Sequence, residues 1–224
     1  MDPIPLDFRL YLVRHASPHY QWEAVYPVDS DVHLTPEGWG QARRLARFFA
    51  EAKGAGVVYS SAMGRAHCTA RIIAEAVGTT ARIEPGLNEI AVFAPAEWGR
   101  YYGFLRRWLD GGGRAWRGFP RRRAIRDQVG LIHATLERIL RRHGLCPSGR
   151  GFRIDGAMPS GNLIVVAHSG TIQAMVSRLF DLPVVQCLHQ FADDFAGLVT
   201  VEFLDLGGQC LPVLKHFGPV EAAL

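Results

Sequence analysis

Two histidines in this chain each stand where a run of apolar residues breaks off at a polar turn. Arg14-His15 closes Leu10-Tyr11-Leu12-Val13 and is followed by Ala-Ser-Pro, and His168-Ser169-Gly170 closes Leu163-Ile164-Val165-Val166-Ala167. β-branched and aromatic residues bounded by turn formers read as buried strands. Each imidazole is therefore expected at the carboxyl end of a strand, the edge at which open α/β sheets bind ligands. An imidazole nitrogen can act as nucleophile or base near neutral pH, and a guanidinium fork matches the oxygens of a phosphate. Arg65 supplies a second guanidinium in the first turn of a helix expected over 63–77. A cation there opposes the helix dipole, which an anionic partner relieves. Two His, two Arg and a helix start together form a pocket for a dianion, with a phosphoryl group as its natural occupant. Taken singly, each residue is as readily a solvated strand end or a surface side chain.

The elements that must position these groups alternate along the chain. After the strand at 10–13, an irregular stretch (17–34) carries His19, Tyr20, Gln21, Trp22 and Tyr26. Thr35-Pro36-Glu37 then starts a helix, with Thr as N-cap, Pro in the first turn and Glu near the positive dipole end. A strand at 57–59 runs into Ser60-Ser61 and the helix of Arg65. A third strand is expected over 81–84, ahead of Leu87-Asn88-Glu89-Ile90. Residues 91–118 lose periodicity and crowd with aromatics, and read as a lid-like insertion holding a helix near 98–110. Amphipathic spacing returns over 124–142. The Gly- and Pro-rich stretch 145–160 reads as a loop, and strands are expected over 162–167, 197–206 and 210–216. Such alternation predicts an α/β fold: an open, mostly parallel sheet with helices on both faces. No linker divides the chain, so one domain over 1–224 is expected, with a small helical insertion over the site.

At 224 residues, 48% of them hydrophobic and 21% charged, the chain has the composition of a soluble globular domain. The net charge is +4, and lysine occurs only at 53 and 215. The densest basic run, Arg121-Arg122-Arg123 with Arg126, has no interleaved aromatics, so it reads as a solvated helix start and not a nucleic-acid surface. No apolar run reaches the roughly 20 residues that span a bilayer. The four cysteines, at 68, 146, 187 and 210, are scattered, and the amino end carries no secretory pattern. Reduced thiols in the cytoplasm are the expectation, without a zinc site or disulfide frame.

Five segments, in order, resemble the histidine phosphatase superfamily, also called the phosphoglycerate mutase-like family. They are LYLVRHASP at the first strand end, LTPEGWGQA from Leu34, SSAMGRAHCTA from Ser60, LNEI from Leu87 and VVAHSGTI from Val165. The resemblance implies a phosphohistidine mechanism. His15 would attack phosphorus, while Arg14, Arg65 and His168 would hold the oxygens. Glu89 would protonate the leaving group and then activate water, with Glu84 and Glu97 as rival carboxylates. Gln21 and Ser169 would add contacts to the phosphate. No metal or cofactor is implied, because Arg and His carry the positive charge. The chain departs from the pattern at Ala16 and Ser169, where the family usually has Gly. A phosphomonoesterase acting on a small phosphorylated substrate is the leading reading. The others are a mutase using the same intermediate and a non-catalytic phospho-ligand or protein-binding module. Nucleic-acid binding has only charge behind it, and nothing in the sequence reports an oligomeric state.

Overall fold

The first strand, β1 (Ile4–Arg14), extends well before the apolar run that announced it and occupies the middle of the sheet. The computed structural model describes residues 3–19, 34–52, 56–90, 122–190 and 194–223, the side chains of 122, 189 and 190 apart. Chain order continues with α1 (Pro36–Glu51), β2 (Gly56–Ser60), α2 (Gly64–Ala76), the two-residue β3 (Arg82–Ile83) and a 3-10 turn at Pro85–Leu87. Then come α3 (Arg122–Arg142), β4 (Leu145–Ser148), β5 (Gly151–Ile154), β6 (Gly161–Ala167), α4 (Ser169–Leu179) and α5 (Val184–Gln190). β7 (Gly197–Asp205), β8 (Gln209–Pro219) and a closing 3-10 turn at Val220–Ala223 complete the described chain. Gln21, Glu97, the 91–118 insertion and its expected helix lie outside the described residues.

All eight strands join one open sheet in the order β3-β2-β6-β1-β7-β8-β5-β4. The expected α/β architecture is present, but its parallel character stops at β1. The pairs β3-β2, β2-β6 and β6-β1 are parallel, while β1-β7, β7-β8, β8-β5 and β5-β4 are antiparallel. The reason lies in the connections. Parallel neighbours need a crossover, which the helices supply, whereas β7 and β8 are joined by a tight turn. There Gly207 and Gly208 both take positive φ, +82° and +97°, as two-residue hairpin turns require. The stretch 145–160, expected as a loop, holds the β4-β5 hairpin. Its Pro147 misled the reading, because Pro is compatible with a strand at the sheet edge, and β4 is that edge.

Both faces of the central strands are covered. Phe8, Leu10 and Leu12 of β1, with Leu163, Val165 and Ala167 of β6, pack into one core with Ile132 and Leu136 of α3 and Met175 of α4. Tyr11 and Val13, with Ile164 and Val166, turn to the opposite core, shared with Leu45 and Phe49 of α1 and Ile73 of α2. A strand buried on both sides must be apolar at every position, which is why these two were legible as unbroken runs. Truncating a fully buried residue such as Leu12 to Ala would cost about 2–5 kcal/mol. Among the described residues, no helix is long and apolar enough to cross a membrane.

Candidate active site

Strand register alone brings the candidate residues together. β1 and β6 pair in parallel with Arg14 opposite Ala167, so the next residues, His15 and His168, leave the sheet side by side. Their rings lie 5.0 Å apart, centroid to centroid. On the other side of β6, Ser60 pairs with Val166, and the Ser61 N–H donates to the Val166 carbonyl at 3.1 Å. That delivers Ser61 and then α2, with Arg65 in its first turn, to the same edge. Neither α2 nor α4 has a side-chain hydrogen bond from its N-cap residue, Met63 or His168. Both helices thus direct their positive ends toward this edge.

His15 is buried, with 3% of its surface exposed. Its Nδ1 donates to the carbonyl of Ala16 at 2.9 Å. Arg65, equally buried, donates from Nε to His15 Nε2 at 3.1 Å. A nitrogen that accepts from a guanidinium must present a lone pair, so Nδ1 carries the proton and Nε2 is the nucleophilic position. Burial, the Arg65 charge and the Arg14 charge lower the His15 pKa to about 3, against a smaller opposing effect of the Ala16 carbonyl. The imidazole is therefore neutral throughout the physiological range. His168 is held neutral by burial and by the neighbouring His15, Arg65 and Arg14. The Arg14 guanidinium lies over the Phe195 ring, 4.2 Å from its centroid, and the same ring stands 5.5 Å from that of His15.

The backbone after His15 is fixed by side chains read from sequence only as parts of motifs. Ala16 N–H donates to Thr69 Oγ1 at 3.1 Å, and Thr69 donates onward to the Arg65 carbonyl at 2.9 Å. Ser17 N–H donates to Gln41 Oε1 at 2.8 Å, and the Ser17 carbonyl accepts from the Thr35 N–H at 3.0 Å. Thr35 Oγ1 in turn accepts from the Gly38 N–H at 2.9 Å, capping α1. A Cβ on Gly38 would come within 2.1 Å of the Ser17 carbonyl oxygen, so only glycine lets α1 approach this closely. Ala16 takes no positive φ, and its methyl is buried in the core shared with α1 and α2. The alanine found where glycine was anticipated thus needs no special backbone.

Glu89 reaches the site beside α4. A Cβ on Gly170 would stand 2.9 Å from Glu89 Oε1, and that oxygen accepts from the Ile90 N–H at 2.9 Å. The preceding Asn88 pins the loop twice. Its Oδ1 accepts from the Ala62 N–H at 2.9 Å, and its carbonyl accepts from Thr171 Oγ1 at 3.0 Å. Glu84, a rival carboxylate, is occupied elsewhere: Arg138 and Arg142 each donate to it at 2.7 Å. Burial raises its pKa, but the bonds from Arg142 and Arg138 outweigh burial and hold it below the ordinary value. That suits an ion pair and not a proton donor. Ser169 Oγ accepts from Gln173 at 3.2 Å within the first turns of α4. The structure thus gathers Arg14, His15, Arg65, Glu89, His168 and Ser169 around the edge of the sheet. Phe195 was missed because it lies far along the chain, between α5 and β7, with no local pattern around it.

Comparison with known proteins bears on the family and the fold. The family model described as histidine phosphatase superfamily (branch 1) matches residues 10–212. A protein of Hydrogenobacter thermophilus named "Putative phosphoserine phosphatase 2" is 29% identical over 200 residues, covering 86% of this chain and 88% of its own. The adenosylcobalamin/alpha-ribazole phosphatase of Salmonella typhimurium is 25% identical over 198 residues, covering 81% and 84%. Among solved structures, a phosphoserine phosphatase mutant from Entamoeba histolytica, in complex with phosphoserine, superposes with a TM-score of 0.63. It is 19% identical, covering 97% of this chain and all of that one, and the likeness is one of fold.

Proposed function

The chain belongs to the histidine phosphatase superfamily, and from that premise we propose that it is a metal-independent phosphomonoesterase working through a phosphohistidine at His15. One observation carries the reading: a buried, neutral imidazole donates Nδ1–H to its own chain and turns an Nε2 lone pair toward Arg65. A nucleophile resting against a guanidinium is poised for a substrate whose oxygens will take that guanidinium over. When a phosphomonoester enters, Arg65 and Arg14 exchange their resting contacts for phosphate oxygens, joined by His168 and Ser169. Their fixed positive charge stabilises the transferring group, which is most of what phosphoryl transfer requires.

The Nε2–P bond forms as the ester P–O bond breaks, and Glu89 gives its proton to the departing oxygen. Water then attacks phosphorus, Glu89 takes its proton, the N–P bond breaks, and inorganic phosphate leaves. Gln21 is proposed as a further phosphate contact, the 91–118 segment as a cover for a small phosphorylated substrate, and the cytoplasm as the site of action. The relatives named for phosphoserine and alpha-ribazole phosphatase activity support this substrate class.

A mutase reading draws on a relative named "Probable phosphoglycerate mutase GpmB" in Enterobacter sp., 38% identical over 82 residues, 37% of this chain. One experiment separates the readings. Purified protein in excess chelator is given an aryl phosphate with and without an alcohol acceptor, beside His15→Ala. Chelator-resistant release of inorganic phosphate, lost in the variant, is expected. Turnover surviving in His15→Ala refutes the mechanism, and transfer to the alcohol in preference to water favours the mutase.

A further inference from the structure

The second histidine can help hold a phosphate only if a proton sits on the right nitrogen, and the structure indicates what puts it there. His168 is fully buried, and its Nδ1 has no hydrogen-bond partner among the described residues. Its Nε2 lies 2.8 Å from Ser61 Oγ, which is likewise fully buried. Ser61 Oγ already accepts a hydrogen bond, from the Met63 N–H at 3.2 Å. Two proton arrangements are then possible. If Nε2–H donated to Ser61, the hydroxyl hydrogen would be left without an acceptor among the described contacts, and a second buried polar position, the Nδ1 lone pair, would be unsatisfied. If the hydroxyl donates to Nε2, Ser61 is fully used and only one group waits for a partner, the Nδ1–H. A buried unsatisfied polar group is costly, so the arrangement with fewer is favoured. The remaining donor stands beside His15, Arg14 and Arg65, where an anion would satisfy it.

We infer that Ser61 is a positioning residue that fixes the neutral tautomer of His168, keeping its proton on Nδ1 as a preformed donor to the phosphoryl group. Because His168 stays neutral, it cannot donate from both nitrogens, so the choice of tautomer decides whether it attracts or repels a phosphate oxygen. Ser61 directly follows β2, whose last residue pairs with β6, so strand register itself aligns hydroxyl and ring. The anion's role rests on the phosphatase reading above, whereas the tautomer is a property of the unliganded protein.

The test is nitrogen-15 NMR of imidazole-labelled protein, with the His168 signals assigned by their loss in His168→Gln. Wild-type protein is expected to show a protonated Nδ1 and a bare Nε2 before any ligand is added. In Ser61→Ala the proton is expected to move to Nε2 or to distribute between the two. Inorganic phosphate should then bind about 10- to 100-fold more weakly, the size of one lost hydrogen bond to a charged group. Ser61→Thr, which keeps the hydroxyl, should restore both. A proton on Nε2 in the free wild-type protein overturns the inference, and so does a Ser61→Ala spectrum with Nδ1–H unchanged. The wild-type spectrum decides the question even if the alanine variant does not fold. It does so whether or not an aryl phosphate turns over, so failure of the phosphatase reading is told apart from failure of this one.

Discussion

Acid should unfold this protein partly through His15. His15 has a pKa of about 3 in the folded chain and about 6.5 when unfolded. Between those values the unfolded state binds a proton that the folded state refuses, so stability rises with pH. The contribution of a neutral His15 is complete above about pH 6.5 and falls as the pH drops toward 3. Linkage between these two values gives a loss of about 3 kcal/mol from pH 7 to pH 4. That is a large share of a domain's usual net stability of about 5–15 kcal/mol. His15→Asn removes the titrating group while keeping a polar side chain of similar reach. Urea unfolding at pH 7, 6, 5 and 4 should show wild type losing about 3 kcal/mol more than the variant over that interval. Acid-labile groups away from His15 titrate alike in both proteins and largely cancel, whereas His168, whose pKa His15 helps to lower, is less depressed in the variant and widens the difference. Parallel stability curves for the two proteins would refute the claim that His15 is buried and uncharged.

Three substitutions test the rest of the site. Arg65→Met keeps the length of the side chain but removes its donors, and kcat/KM for an aryl phosphate should fall about 10²- to 10³-fold. In that variant the His15 pKa should also rise, by NMR titration, because the Arg65 charge is one cause of its depression. Gly170→Ala places a methyl 2.9 Å from Glu89 Oε1 and should displace the carboxyl. Turnover of alkyl phosphates, which need a proton on the leaving oxygen, should drop more than that of nitrophenyl phosphate; equal losses would argue against Glu89 as the acid. Thr69→Val leaves the Ala16 N–H without its bond, and calorimetry or urea unfolding should register a loss of about 1–3 kcal/mol.

How much of this could be read from residues alone follows from how local each signal is. The strands bearing His15 and His168 were legible because burial on both faces forces continuous apolar runs. α1 was legible through its cap, since Thr35, Pro36 and Glu37 act within one turn of helix. The site residues then followed from two similar strand endings and from the order of five motifs. The antiparallel half of the sheet was not legible, because pairing direction depends on which strands become neighbours, and no residue encodes that by itself. The β4-β5 hairpin hid behind glycine and proline. The roles of Gln41 and Thr69 were equally invisible, although both lie inside recognised motifs. Each bonds to a backbone group more than 20 positions away, Ser17 for Gln41 and Ala16 for Thr69. Phe195 had no periodicity, motif or charge to mark it.

The sheet order carries one more consequence, for motion. The strand that leads into His15 is central and bonded along both edges, with β6 on one side and β7 on the other. The carboxylate's loop follows a two-residue strand at the sheet's rim. Amide protons at Leu12 and Val13 should therefore exchange with solvent only when the whole molecule opens, whereas those near Glu89 should exchange through small local excursions. His15 and Glu89 then belong to different cooperative units. His15 is held as firmly as the fold itself, whereas the Glu89 carboxyl can shift locally without opening the sheet.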